Sequence, residues 1–257
     1  MIPMVFYALL GAIIGSFLNV VIYRLPLILA GENLSLSWPV SHCPVCKRKI
    51  NIWHNVPLLS WLWLKGRCFQ CQNIIPCRYP LVELLTSVLF ACVVLLQGIT
   101  LLSMVDLLLM SLLIPLFFID IDTMLLPDRL TFPFLLFALC QTGLNMGHTD
   151  LLDSMVAAFL GFSIPWLLDK LYSWRHGRAG MGMGDMKLIA GIGAWLGTEA
   201  LFAVMFLSSI LAIITVLLLL QKGKNDIFPF GPFLIIATLA IFFYRYALSF
   251  SSPLLLQ

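Results

Sequence analysis

Residues 101–122 have the sequence LLSMVDLLLMSLLIPLFFIDID, an almost unbroken apolar run that ends in two acidic residues. The apolar part is about as long as the roughly 20 residues that a helix needs to cross the hydrocarbon core of a bilayer. The whole chain has this character, because 61% of its 257 residues are hydrophobic and only 11% are charged. Such a composition excludes a soluble globular protein, a disordered chain and a nucleic-acid binder. We therefore predict an all-α polytopic membrane protein.

Seven further apolar segments accompany this run, so the sequence predicts about eight transmembrane helices. With this number of helices, every basic residue except Arg245 lies in loops or at the entry of a span on the same side of the membrane. The positive-inside rule makes that side cytoplasmic and places both termini outside. The predicted spans are 3–23, 80–96, 101–119, 130–144, 151–168, 186–196, 200–220 and 231–248, of which 186–196 is short.

The longest polar stretch lies between the first two predicted spans. It divides the chain into a first transmembrane helix at 1–23, a small cytoplasmic cysteine-containing module at 24–79 and a transmembrane domain at 80–257. In the first helix, Gly11 and Gly15 form a Gly-x-x-x-Gly pattern. This pattern favours ordinary close packing inside the helix bundle over a dedicated dimer contact.

Two Cys-x-x-Cys pairs define the polar module: Cys43 with Cys46, and Cys68 with Cys71, separated by 21 residues. Four thiolates from two such pairs suit a tetrahedral Zn²⁺ site. A redox pair or a disulfide are the competing interpretations, and the cytoplasmic location argues against a persistent disulfide. Because a Cys₄ site leaves no open position for water, we expect a structural role for the zinc.

Acidic residues in or beside apolar segments form the second group of candidates, since a charge inside a bilayer costs about 2.5–3.5 kcal/mol on insertion scales. Asp120 and Asp122 follow the third span directly, and Asp185 stands just before the sixth. In the predicted topology Asp120 and Asp185 share the cytoplasmic boundary, where they could meet and act as general acid and general base. The alternative interpretation is that Asp120 and Asp122 have no catalytic role and simply extend their carboxylates from the end of a span to the membrane surface. For Asp106, near the outer end of the third span, we expect contact with the membrane interface.

The ends of the predicted helices suggest different charges for the two acids. Asp120 ends a helix that enters the cytoplasm, whereas Asp185 begins a helix that re-enters the membrane. Because a helix N-terminus stabilises negative charge, we expect Asp185 to be the ionised base and Asp120 the protonated acid. Gly182 and Gly184 would support this loop by letting backbone or substrate approach closely.

In their order along the chain, these motifs resemble those of the type IV prepilin peptidases, the bifunctional leader peptidase/N-methyltransferases of type IV pilus and type II secretion systems. The likeness covers nearly the whole chain. It consists of the two cysteine pairs and the motifs at 15–26, 78–83, 120–128, 180–188 and 229–232.

The resemblance implies a GxGD-type intramembrane aspartyl protease in the domain at 80–257. Its catalytic residues would be Asp120 and Asp185, with Asp122 as the fallback for Asp120. The substrates implied are prepilins or pseudopilins, whose basic leader is removed after a glycine at the cytoplasmic face of the bacterial inner membrane.

The resemblance also implies methylation of the new N-terminal amine with S-adenosylmethionine. The sequence contains no glycine-rich dinucleotide fingerprint, so it assigns no residues to this cofactor. The alternative function from the residues alone is an ion-coupled membrane transporter that uses the same aspartates.

Overall fold

The computed structural model describes residues 2–220 and 228–251; Lys222 and Lys224, which contribute to the predicted topology, lie outside this part. The described residues form helices joined by loops, with only two isolated β-bridges. This confirms the all-α prediction for the described part of the chain. The helices are α1 (Ile2–Leu29), α2 (Leu59–Trp63), α3 (Arg78–Gln97), α4 (Leu101–Thr123), α5 (Asp128–Gly143), α6 (Leu151–His176), α7 (Met183–Thr215) and α8 (Gly231–Ser251).

Several of these helices are long and apolar enough to cross a membrane, as expected of a multi-pass membrane protein. Among the described residues, Gly231–Ala247 is a shorter apolar helix, and α5 has only 16 residues. The five longer stretches are Pro3–Leu29, Arg78–Gln97, Leu101–Thr123, Leu151–His176 and Met183–Leu218. Each predicted span therefore coincides with helix, while the count of eight crossings stays a prediction.

The sixth and seventh predicted spans form the two arms of α7. Gly197 separates them with φ 85° and ψ 175°, a conformation outside the helical region that glycine adopts without steric cost. Ile189 of the first arm and Met205 of the second line one cavity. In a straight helix these residues would be about 24 Å apart. The two arms therefore fold back beside each other, and a short π-helical segment, Val216–Leu220, follows the second arm.

The first compact unit, Met1–Ser103, contains α1 packed against α3. A Cβ atom on Gly11 would lie 2.7 Å from the carbonyl oxygen of Thr86, and one on Gly15 would lie 2.8 Å from Glu83 Cα. The Gly-x-x-x-Gly pattern thus serves close packing within the chain. Helix α1 continues beyond its predicted end at residue 23 and contains Pro26 in its last turn, where the missing N–H removes a single helical hydrogen bond.

The second compact unit, Met104–Gln257, is organised around α7, which packs against α5, α6 and α8. Small residues allow the closest approach. A Cβ on Gly193 would lie 2.6 Å from the carbonyl oxygen of Ala157, and one on Gly161 would lie 2.9 Å from that of Ile189. The first arm of α7 is consequently buried, and its N-terminal turn carries Asp185.

Candidate active site and metal centre

Asp120 lies in the last turns of α4 and is 4% exposed. Its Oδ2 atom accepts a hydrogen bond of 2.9 Å from the backbone N–H of Gly231, the first residue of α8. This contact joins residues that are 111 positions apart in the sequence. A buried carboxylate needs such a donor, because burial without a partner is costly.

Asp185 lies in the first turn of α7, directly after Gly182, Met183 and Gly184. Its carboxylate lies beside Gly182, where a Cβ would be 3.1 Å from Oδ2, and interacts electrostatically with Asp120. Its Oδ1 atom is buried and has no hydrogen-bond partner within the described residues. Asp120 and Asp185 thus form a pair of interacting carboxyl groups, and one of their oxygens is available to a water molecule or a substrate group.

Leu126 fills the space between the segments that carry the two acids. A Cβ on Gly184 would lie 2.7 Å from Leu126 Cβ, and a Cβ on Gly231 would lie 3.4 Å from Leu126 Cδ1. The same Cβ on Gly231 would lie only 2.7 Å from Asp120 Oδ2. Glycine at 184 therefore permits the close approach of α7 to the segment after α4, and glycine at 231 permits that of α8 to Asp120. At Gly182 a Cβ would lie 3.1 Å from Asp185 Oδ2, a milder conflict.

Asp122, the fallback for Asp120, is exposed. Two positions apart on a helix, Asp120 and Asp122 lie on different faces, and the face of Asp120 is the one that meets α8. Asp128 is the first residue of α5 and accepts a 2.6 Å hydrogen bond from Lys187 Nζ, two residues after Asp185. This ion pair holds the segment after α4 against the start of α7.

An open cavity of about 420 Å³ lies beside the Asp185 segment. It is lined by α6, both arms of α7, Gly180, Met181 and Phe230. At its edge Asp169 Oδ1 accepts hydrogen bonds from the backbone N–H groups of Gly180, at 2.6 Å, and Met181, at 3.0 Å. Because Ile189 is one helical turn beyond Asp185, this mainly apolar cavity adjoins the helix face that carries the acid.

In the first unit, the sulfur atoms of Cys43, Cys46, Cys68 and Cys71 all lie within 4.8 Å of one another, with Cys43 and Cys71 at 3.7 Å. Zinc–sulfur bonds of about 2.3 Å in a tetrahedron place the sulfurs about 3.8 Å apart. The four side chains therefore fit a single tetrahedral metal ion.

The two cysteine pairs have similar backbone geometry. Lys47 and Gln72, which follow the second cysteine of each pair, both have φ 57°, and each N–H donates to the carbonyl oxygen of the first cysteine. The Arg48 side chain donates to Gln70 Oε1 at 2.6 Å and links the two turns. Each turn thereby presents both of its sulfurs on one side.

Hydrogen bonding distributes charge unevenly among these sulfurs. The backbone N–H of Cys46, offset in part by desolvation, lowers the pKa of Cys43 to about 6. The N–H of Asn73 lowers the pKa of Cys71, but desolvation and the neighbouring cysteine side chains together raise it to about 11. A negative charge on one sulfur therefore opposes the ionisation of a neighbouring cysteine. A bound cation would offset this repulsion and allow all four cysteines to ionise.

Comparison with known proteins gives these two centres a family context. The model of the bacterial peptidase A24 N-terminal domain matches residues 9–97, and that of the type IV leader peptidase family matches residues 107–217. A prepilin leader peptidase/N-methyltransferase of Neisseria gonorrhoeae is 40% identical to this chain, over 91% of the chain and 88% of the relative. Proteins of the same name from Aeromonas salmonicida and Pectobacterium carotovorum subsp. carotovorum are 41% and 38% identical, over 92% and 88% of the chain and 90% and 88% of the relatives.

The chain belongs to the type IV leader peptidase family. The peptidase model covers α4 to α7 with both aspartates, and the N-terminal model covers α1, the four cysteines and α3. No solved structure matches the chain.

Within this leader peptidase, sequence reasoning gave no role to three contributors to the site. Gly231 and Leu126 lie in motifs that carry the family resemblance, at 229–232 and 120–128, but their roles depend on tertiary packing. Asp169 had a detectable signal, because a carboxylate eleven residues before a glycine-rich loop, on the preceding helix, can reach that loop. The helix-end argument for Asp120 was incomplete, since it considered α4 alone and omitted the N-terminus of α8.

Proposed function

We propose that this protein is an intramembrane aspartyl endopeptidase that removes the leader of type IV prepilins or pseudopilins and then N-methylates the new N-terminus. The relatives' names state both activities for those proteins. The observation that carries the proposal is the interaction of two carboxyl groups from separate helices, the buried Asp120 and the half-buried Asp185. The comparisons give no support to the alternative of an ion-coupled transporter.

In the proposed mechanism, Asp120 and Asp185 share one proton and activate a water molecule against the peptide carbonyl. The ionised carboxylate removes a proton from the water while the protonated one donates its proton to the carbonyl oxygen. The carboxyl that gained the water proton then donates it to the leaving amine, and the other carboxylate takes a proton back from a hydroxyl of the tetrahedral intermediate. No covalent intermediate forms. The buried, unpartnered Oδ1 atom of Asp185 is a suitable acceptor for that water. Positioned acid–base groups of this kind contribute about 10²- to 10⁴-fold to rate.

The cavity beside Asp185 suits the apolar part of a prepilin. Its lining includes Pro165, Leu168, Ile189 and Met205, which offer apolar contact and few hydrogen bonds. We propose that residues on one side of the scissile bond occupy this cavity while the basic leader remains in the cytoplasm. This arrangement corresponds to the predicted orientation, with eight crossings of the bacterial inner membrane and both sites on the cytoplasmic side.

The four cysteines would hold zinc in a structural role. All four positions of a tetrahedral ion are then occupied by Cys43, Cys46, Cys68 and Cys71, so none is open for water. We retain the predicted division into a helix at 1–23, a zinc module at 24–79 and a peptidase domain at 80–257. S-adenosylmethionine would supply the methyl group. The described residues contain no parallel-sheet edge of the kind that binds dinucleotide cofactors, and we assign no residues to S-adenosylmethionine.

The test uses the full-length protein in detergent with a purified prepilin. Asp120→Asn and Asp185→Asn should each lower the cleavage rate by about 10³-fold or more, because each removes one member of the acid–base pair. Asp122→Asn is the matched control: the same chemical change two residues away, at an exposed position, should keep nearly full activity. Retained cleavage in either Asp120→Asn or Asp185→Asn would reject the aspartyl mechanism.

A further inference from the structure

A second buried carboxylate lies on α4, away from the candidate catalytic pair. Asp106 is fully buried, so the expectation that it reaches the membrane interface is wrong. It accepts hydrogen bonds from Trp195 Nε1 at 2.8 Å, from Gln141 Nε2 at 3.2 Å and from His148 Nε2 at 3.0 Å. The other ring nitrogen of His148 lies 3.2 Å from the Tyr246 hydroxyl. This one side chain of α4 therefore contacts α5, α7 and the segment before α6, and connects to α8 through His148.

The surroundings of Asp106 are rigid. The Trp195 ring stacks on Phe242 with centroids 5.0 Å apart and meets Phe134 edge-on at 6.0 Å. His148 packs edge-on against Phe242 at 5.5 Å. Because these rings hold the donors in place, the position of Asp106 is fixed along the axis of α4 as well as across it.

Both partners of the Asp106–Trp195 hydrogen bond lie on helices that carry the catalytic candidates. Along α4, Asp106 and Asp120 are separated by about 21 Å of helix, and along α7, Trp195 and Asp185 by about 15 Å. Apolar side chains give little directional restraint against sliding of one helix along another. A hydrogen bond at the far end of α4 and of the first arm of α7 supplies that restraint.

We propose that Asp106 is a positioning residue, which fixes α4 against α7 through Trp195 and thereby sets how closely Asp120 approaches Asp185. The inference deepens the proposed peptidase function and rests on it. Asp106 itself does not touch the substrate. Its loss acts through the geometry of the two acids.

The test compares four variants of the full-length protein in detergent. Asp106→Ala removes the acceptor, Asp106→Asn keeps an acceptor for Trp195, and Trp195→Phe removes the donor while keeping an aromatic ring. Asp153→Asn is the control. Asp153 also accepts hydrogen bonds, from Thr149 and Thr198, but it lies on α6, which carries neither Asp120 nor Asp185. The prepilin cleavage rate is measured per folded molecule.

A distance measurement provides a readout that does not depend on activity. Spin labels attached through p-acetylphenylalanine at Thr123 and Met183, both exposed, report the separation of the ends of α4 and α7 without labelling the native cysteines. Pulsed electron resonance then compares the distance distributions of the wild type and the four variants.

We expect Asp106→Ala and Trp195→Phe to shift or broaden this distribution and to lower kcat about 10- to 100-fold, the size of effect that displacement of a catalytic group by about 1 Å produces. Asp106→Asn should lose less, and Asp153→Asn should change neither quantity. An unchanged distribution in Asp106→Ala, or in Trp195→Phe if the alanine variant does not fold, overturns the inference even when thermal stability falls. If the wild type fails to cleave prepilin, the proposed function fails, and the distance measurement still decides the inference.

Discussion

The contact between Gly184 and Leu126 makes a specific prediction about the loop that carries Asp185. In Gly184→Ala the new Cβ would lie 2.7 Å from Leu126 Cβ and 3.1 Å from the Leu126 carbonyl oxygen. Neither neighbour is the free end of a flexible side chain, because one is a Cβ and the other belongs to the backbone. The start of α7 must therefore move away from the segment after α4.

The size of this movement follows from ordinary contact distances. Carbon atoms in contact lie about 3.5 Å apart, so the segments must separate by about 0.8 Å. Overpacking of this kind costs about 1–3 kcal/mol of stability. Because Asp185 is the next residue, most of the displacement reaches the proposed catalytic pair, and a shift of about 1 Å in a catalytic group can lower a rate about 100-fold. We expect kcat for prepilin cleavage to fall between 10- and 100-fold.

The assay measures kcat, KM and the thermal midpoint of Gly184→Ala beside two other glycine variants. At Gly182 the Cβ would meet Asp185 Oδ2 at 3.1 Å, so Gly182→Ala should show a smaller loss. Gly143→Ala is the matched control in α5, where a Cβ meets nothing within 4 Å and full activity should remain. Wild-type kcat in Gly184→Ala, or an equal loss in Gly143→Ala, would refute the packing argument.

Three further predictions concern the first compact unit. Cys43→Ser should remove bound zinc, as measured by elemental analysis, and lower the thermal midpoint. Molecules that remain folded should still cleave prepilin, because a closed Cys₄ site is structural. Immediate loss of activity on mild chelation, without unfolding, would contradict this prediction. Zinc affinity, measured with a competing dye, should rise from pH 6 to about pH 9. The Cys43 thiolate is lost as the pH falls through about 6, and Cys71, with its pKa raised to about 11, must release a proton when the ion binds. Gly15→Val should lower the free energy of unfolding by about 1–3 kcal/mol in denaturant titration, because the new side chain pushes α1 away from Glu83 Cα on α3. Leu9→Ala, at an exposed position of α1, should lower it less.

Sequence reasoning located the residues whose spacing is itself chemical information. The two Cys-x-x-Cys pairs predict four sulfurs near one point, and those sulfurs lie within 4.8 Å of one another. The apolar runs predict helices because burial and lipid both require internally satisfied backbone groups. Both kinds of inference depend on short-range geometry, which the sequence specifies directly.

What escaped prediction depends on contacts between distant segments. The prediction that Asp106 reaches the membrane interface rests only on its distance from the span end. Its burial depends on donors from Trp195 and His148, which are 89 and 42 positions away. The N–H of Gly231 at Asp120 is a contact of the same kind, over 111 positions. The local spacing of residues does not signal these particular pairings.

The helix ends around the two acids suit a pair that carries one negative charge. Asp185 lies in the first turn of α7, and Asp120 accepts the N–H at the start of α8, so two helix N-termini face the pair. The C-terminal end of α4 acts in the opposite sense on Asp120. The partial positive charges of the two helix N-termini outweigh the partial negative charge of the one C-terminus, so the pair of carboxyl groups retains a single negative charge. Two adjacent carboxylates, in contrast, would repel each other in this buried place. One shared proton is also the state from which an acid and a base can act together on water, so the helix arrangement that buries the pair also stabilises its reactive form.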